Sequence, residues 1–303
     1  MEVRGAGFQI ASALDLGPGV SNGCGILATP TGTCASVGLA ASQPLSGGIC
    51  IAIGRSRVVT ATDNLTSLHK HEEELRARSL AAIEADAGLS DHWNLVAEAM
   101  NAIYAFIHDH LHESENELAL QCLGIRLFDA AGASIKLALS GYYQKAFHQV
   151  RDVIETSFLV DYLSTYPEKI DEWRRADRKK RMSHFSADFI RKALDKRDGY
   201  TSGERKRIYD LISELASHAS YIGIVSLMTA GPDNMAQVGP FFDDKKLASW
   251  LGETAIRFSH AAMVLLPPPS GSDIKLLLTQ RHYLKVANTW WSKYRGVKHQ
   301  AVP

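Results

Sequence analysis

The feature that most constrains this chain is a change of character near residue 62. Eleven of its 23 glycines lie between Gly5 and Gly54, and the first 60 residues carry only five charges: Glu2, Arg4, Asp15, Arg55 and Arg57. From Asp63 onward the chain is charged, poor in glycine and apolar at helical intervals. Frequent glycine raises the entropy cost of ordering a backbone, and few large side chains are present to offset it. Segments with a 3.6-residue apolar period each have a face to bury. The division predicts a glycine-rich, poorly ordered leader over residues 1–61, a helical domain over 62–295 and a tail over 296–303. An over-extended translation start is the other account of the leader. Within it, Gly48-Ile-Cys-Ile-Ala-Ile-Gly54 and Arg57-Val-Val-Thr60 read as short strands.

Caps and breakers divide the second part into helices. Leu65 to about Ala87 reads as charged and amphipathic. Ser90 is placed to cap a helix from Asp91 to about His112, with acids in its first turn and histidines in its last. Glu117 to Ser140 is apolar at helical spacing and ends at Gly141; Tyr142 to Tyr166 follows and stops at Pro167. The apolar arc of that helix holds Phe147, Val150, Ile154 and Phe158, with Asp161 intruding. Pro167 starts a helix to about Met182, Ser186 caps one to Lys196 that Asp198-Gly199 ends, and Ser202 caps another. Residues 222–242 read as a small irregular or hairpin insertion around Gly231-Pro-Asp-Asn234. Asp243 to Leu266 and Asp273 to Tyr294 are helices separated by Pro267-Pro-Pro-Ser-Gly271. With no internal repeat, the expectation is a mainly α multi-helix bundle or array of about eight elements.

Composition narrows the function classes. The chain is 46% apolar with zero formal net charge, which fits a soluble protein and names no partner. The charge is uneven: Asp63 to Glu117 holds 12 acids against three bases (net −9), and Glu168 to Asp210 holds 14 bases against nine acids (net +5). Such halves suit a charged partner or one another. Cys24, Cys34, Cys50 and Cys122 show no CxxC spacing, so neither a disulfide framework nor a zinc ribbon is expected, and free thiols fit a cytoplasmic location. No signal peptide and no membrane span are read.

Three constellations could carry chemistry. His148, Arg151, Asp152 and Glu155 project within about 100° of one another at 3.6 residues per turn, and Arg207, Asp210, Glu214 and His218 line a stripe of a later helix. Face to face, the two stripes would combine a titratable histidine, an arginine for phosphate and carboxylates that orient the histidine, with Arg151, Glu155 and His218 as the candidate catalytic set. The plainer reading is two solvated faces with i,i+4 ion pairs. Arg174, Arg175, Arg178, Lys179, Lys180 and Arg181 form a basic run suited to a phosphate backbone. The last helix adds Arg281, Lys285, Lys293 and Arg295, with Lys298 beyond it, among Tyr283, Trp290, Trp291 and Tyr294; these read as a basic-aromatic surface for single-stranded RNA or as a core stripe. Third, His108 and His112 sit i,i+4 with His69 and His71 upstream, and His108-Asp109 matches the HD pair of metal-dependent phosphohydrolases; the plainer reading is histidine at a helix C-terminus. No ExxH, HExxH, GxSxG, DFG or phosphate-loop motif is present.

The stretch Ile125-Arg-Leu-Phe-Asp129 through Gly141-Tyr-Tyr-Gln-Lys-Ala-Phe147, then Arg151-Asp-Val-Ile-Glu155, Asp161-Tyr162, Trp173 and Ala176-Asp177, resembles a set of uncharacterised bacterial helical proteins. Ile190-Arg-Lys-Ala-Leu-Asp195, Arg197-Asp-Gly199 and Ser217-His218 extend the likeness over about Leu118 to Leu266. The pattern is similar, more distantly, to HEPN-type helical domains, many of which are RNases. The resemblance implies an all-helical fold and an RNA- or nucleotide-directed role. The HEPN signature Arg-x(4–6)-His is matched in spacing by Arg178-Lys-Lys-Arg-Met-Ser-His184, and Arg151-Asp152 shares its start without a histidine in range. The expected partner is RNA or another protein, with a homo-oligomer open, no membrane, no metal and no cofactor. A non-enzymatic helical assembly protein is the second expectation and an HD-like phosphohydrolase the third.

Overall fold

The computed structural model describes residues 61–230, 235–266 and 273–296. The expected leader and its strands, Lys298 in the tail, the turn at Gly231–Asn234 and the break at Pro267–Gly271 lie outside the described residues. Among those described, eleven α-helices follow one another: α1 Ala61–Ala85, α2 Ala87–Tyr104, α3 Glu115–Leu139, α4 Tyr143–Thr165, α5 Glu168–Arg174, α6 Arg178–His184, α7 Ala187–Asp198, α8 Glu204–Ile212, α9 Tyr221–Met228, α10 Asp244–Leu265 and α11 Ile274–Arg295. Two π-turns, Ala105–Asp109 and Ser213–Ser217, prolong α2 and α8. The fold is mainly α, as the periodicity predicts.

Helix starts follow local chemistry. Asp86, Ser114, Asp177, Ser186, Asp243 and Asp273 each accept a backbone N–H from the first turn they precede. Gly199 and Gly296, at φ of 70° and 64°, close α7 and α11 in the left-handed conformation. Two expected caps are corrected. Ser90 lies inside α2 and donates instead to Ile83 O at 2.8 Å, joining α2 to α1. Gly203 rather than Ser202 stands before α8. The expected Pro167–Met182 helix is two short ones: α5 ends at Arg174, and Asp177 then caps α6. The insertion near 222–242 begins as a helix, α9, and among the described residues Thr229 pairs with Ala236 and Ala230 with Met235. Ile224 to Met228 is therefore helical, not a hairpin arm.

Helix α4 lies at the centre. Thirteen of its 23 residues are buried, more than one face can supply, so neighbours cover it on several sides. It packs against α3, α7, α8 and α10, while α10 also packs on α2 and α2 on α11. The core runs continuously through Leu95, Phe106, Leu127, Tyr143, Leu163, Leu194, Ile212, Trp250, Phe258 and Tyr283. Two polar groups anchor it: Trp250 Nε1 donates to Ser134 Oγ at 3.0 Å, and Tyr283 OH donates to Ser259 O at 2.6 Å. At the α3–α4 corner Gly141 has φ +86°, and a Cβ there would lie 2.5 Å from Phe241 O. Among the described residues one helix, α3, is long and apolar enough to pass for a membrane span, with a mean hydropathy of 1.3 over 18 residues. Its apolar residues Leu123, Leu127, Ala130 and Ala131 are buried in this core.

Candidate functional site

The two polar stripes occupy neighbouring helices, but only one of them turns toward the other. The α4 stripe divides between α3 on one side and α8 with its π-turn on the other. Asp152 accepts from Arg126 Nη2 of α3 at 2.6 Å, and Arg126 Nε donates to Thr156 Oγ1 at 3.2 Å. Arg151 Nε donates to Ser213 Oγ at 2.9 Å, its Nη2 bonds the Tyr209 hydroxyl and stands 3.4 Å from Glu155. Tyr209 OH in turn donates to Glu155 Oε2 at 3.3 Å. His148 Nδ1 meets Ser217 Oγ at 3.1 Å.

The groups that α8 and its π-turn present to α4 are therefore Tyr209, Ser213 and Ser217. Their four-residue spacing was the signal available in the sequence, and its neutral side chains hid it beside the charged stripe one position away. That charged stripe faces outward. Arg207 pairs with Glu204 at 3.1 Å, Asp210 with Lys206, and Glu214 is exposed. His218 is exposed too, and no hydrogen bond or ion pair joins it to Arg151 or Glu155 among the described residues. The structure thus brings Arg151 and Glu155 together around Tyr209 and leaves His218 outside that bonded cluster.

Tyr209 is itself held by a second cation. The Arg191 guanidinium lies 4.3 Å and that of Arg151 4.7 Å from its ring centroid. Arg191 is buried; its Nη2 stands 3.7 Å from Asp188 Oδ1, while its Nε and Nη1 have no hydrogen-bond acceptor among the described residues and the Tyr209 ring face covers the guanidinium.

Beside this cluster lies a denser ionic knot. Asp161, the acid that intrudes on the apolar arc of α4, accepts from Arg197 Nη1 at 2.6 Å and Nη2 at 3.1 Å. Arg197 also bonds Asp198 and Thr165, and Arg205 joins Asp195 and Asp198. Burial pushes the Asp198 carboxyl up, but the two arginines outweigh it and hold the group below its ordinary value. Half-buried His260 of α10 packs against Phe158; desolvation pulls its pKa down to about 4. The knot joins α4, α7 and α8, and each of its three carboxylates is bonded to at least one of the two arginines, so it reads as structural.

The basic run divides into paired and unpaired members. Arg174 bonds Glu115 at 2.5 Å, Arg175 meets Asp171 at 3.0 Å, and Lys180 meets Glu172 at 3.3 Å. Arg178, Lys179 and Arg181 are exposed and have no carboxylate partner among the described residues. They sit on α6, which buries none of its residues and exposes Met182 at 69%. The aromatic set of α11 is different. Tyr283, Trp290 and Trp291 are buried, Trp290 Nε1 donates to His92 Nδ1 at 2.8 Å, and Tyr294 and Lys293 both bond Asp91. The core-stripe reading of that helix is the correct one.

The histidine-rich segment does not assemble the HD geometry. Residues 105–109 form a π-turn and His110 is extended, so His108 and His112 do not share a helical face. His108 and Lys275 both hold Asp109, at 2.8 and 2.9 Å, while His69 and His71 pair with Glu72 and Glu74 on α1. Among the described residues no three His, Cys, Asp or Glu side chains gather as a metal site. No family model, no curated protein and no solved structure matches this chain.

Proposed function

We propose that this protein is an RNA-directed helical module, HEPN-like in its general plan, that meets the phosphate backbone through α6. The observation that carries the reading is the trio Arg178, Lys179 and Arg181. A cation held in an ion pair is already neutralised, whereas these three are exposed and unpaired among the described residues. A helix that buries no residue contributes little to the core, so its cationic sequence needs a reason other than packing. The paired members, Arg174, Arg175 and Lys180, flank the trio and would trade carboxylate for phosphate at a cost. Arg151, Glu155 and His218 remain the proposed catalytic set: Tyr209 holds Arg151 and Glu155 together, and His218 stands at the surface outside that bonded cluster.

The test is RNA binding over a salt series, with wild type beside Arg178→Ala/Lys179→Ala/Arg181→Ala. Loss of three phosphate contacts lowers the slope of log affinity against log salt by about two for a single strand. A matched His218→Ala variant reads cleavage separately. Absence of binding at low salt in wild type overturns the proposal.

A second reading has its own observation. Tyr221 (71% exposed), Ile222, Ile224 and Met228 of α9 and Val238 (85%) form an exposed apolar area. Surfaces of this kind suit protein partners, and a non-enzymatic assembly protein would use it. Sedimentation of wild type beside Tyr221→Ser/Ile222→Ser checks that reading: a single concentration-independent monomer opposes self-assembly.

A further inference from the structure

His110 occupies a junction that the RNA reading does not use. It follows the π-turn of α2, its side chain is 11% exposed, and its ring stacks on Phe106. Its backbone carbonyl is fixed by Gln121 Nε2 at 2.8 Å, and the same amide holds Phe106 O at 2.9 Å. The ring is thus held in place independently of what its nitrogens do.

Both nitrogens face carboxylates. Nε2 lies 2.9 Å from Glu117 Oε1, in the first turn of α3, and Nδ1 lies 3.1 Å from Asp273 Oδ2, the N-cap of α11. A neutral imidazole has one N–H and one bare lone pair. It can donate to one carboxylate only, and it then turns a lone pair toward the other. The imidazolium alone satisfies both contacts.

We propose that His110 is a pH-operated latch: its imidazolium ties the start of α11 to the α2–α3 junction, and its deprotonation releases that tie. The proposal is independent of RNA binding. The charged surroundings favour it. From the π-turn and the loop after it come Asp109, His112 and Glu113; α3 supplies Glu117, and α11 supplies Asp273 and Lys275. Asp109 is already held by His108 and Lys275, and Glu113 approaches through its backbone N–H, which donates to Glu117 Oε2 at 2.6 Å. Glu117 and Asp273 are thus the two acids that the ring itself bonds. Burial lowers the imidazole pKa, but the bonds to Glu117 and Asp273 outweigh it and hold the group above its ordinary value of 6.5. A histidine raised on folding stabilises fully below its unfolded pKa and loses that contribution as pH rises through the folded midpoint. The latch therefore opens on the alkaline side of 6.5.

The test is NMR on the full chain, following the His110 ring signal, assigned with His110→Gln, together with amide exchange at Leu276 and Leu277. Expected is a midpoint above 6.5. Exchange at these amides, corrected for intrinsic base catalysis, should quicken by up to about tenfold for each unit by which the midpoint is raised, while α10 stays protected. Asp273→Asn keeps an N-capping side chain but removes the charge, so it should lower the midpoint and flatten the pH response. A wild-type midpoint at or below 6.5, or α11 protection that is indifferent to pH, overturns the latch. So does an Asp273→Asn variant that responds to pH as wild type does.

Discussion

Single residues decide where the chain turns and which charges it can keep inside. Gly141 combines a left-handed backbone with the close approach of Phe241, whereas Gly199 has φ +70° and open space around its Cα. We predict that Gly141→Ala costs about 3 kcal/mol or more and Gly199→Ala about 1 kcal/mol, because only the first adds a backbone clash to the left-handed penalty. Urea denaturation of the two variants measures the difference, and equal losses would remove the role given to Phe241. Asp161 is a second case. Removing it leaves Arg197 with Asp198 and Thr165 but without its shortest bond to α4, so Asp161→Ala should cost about 2 kcal/mol in the same assay. In the sequence Asp161 stood out as an acid on an apolar arc. Its partner is 36 residues away, and no local pattern names it.

At the scale of elements, what was local was legible. Ser186, Asp243 and Asp273 mark helix starts through short side chains that reach N–H groups three residues on, and Gly199 marks an end. Asp243→Ala should lower the thermal midpoint by the equivalent of about 1 kcal/mol, and Asp243→Asn should leave it nearly unchanged. Equal losses in the two variants would place the effect in the charge or in the Lys246 pair instead. Ser90 misleads because its hydroxyl has two competing uses. Packing of α2 on α1 offers it the Ile83 carbonyl, and Asp86 already caps the helix. The π-turns escape sequence reading for a related reason. Each adds one residue to a helical turn, and the one at Ala105–Asp109 is held by Gln121, which lies on another helix.

At the scale of the whole molecule, His260 is one group through which burial makes stability depend on acid. His260 has a folded pKa near 4 against an ordinary 6.5. Between these values the unfolded chain binds the proton and the folded one does not, so stability falls as pH drops from 6.5 toward 4. The full difference corresponds to up to about 3 kcal/mol, reduced by the ring's residual exposure. His260→Gln should flatten the stability profile over that window, as read by urea midpoints at each pH; an unchanged slope would assign the acid sensitivity to other groups. Local signals along the chain establish that it is helical from about residue 62, where most of its helices begin and end, and which segment carries the basic run. Those features depend on period, capping and composition, which are local. Tertiary structure alone decided which polar stripe faces α4, which cations of the basic run stay unpaired, and that the aromatics of α11 belong to the core. Each of these depends on helix rotation and on partners far along the chain, and the energy that fixes them is the burial of the shared core around α4.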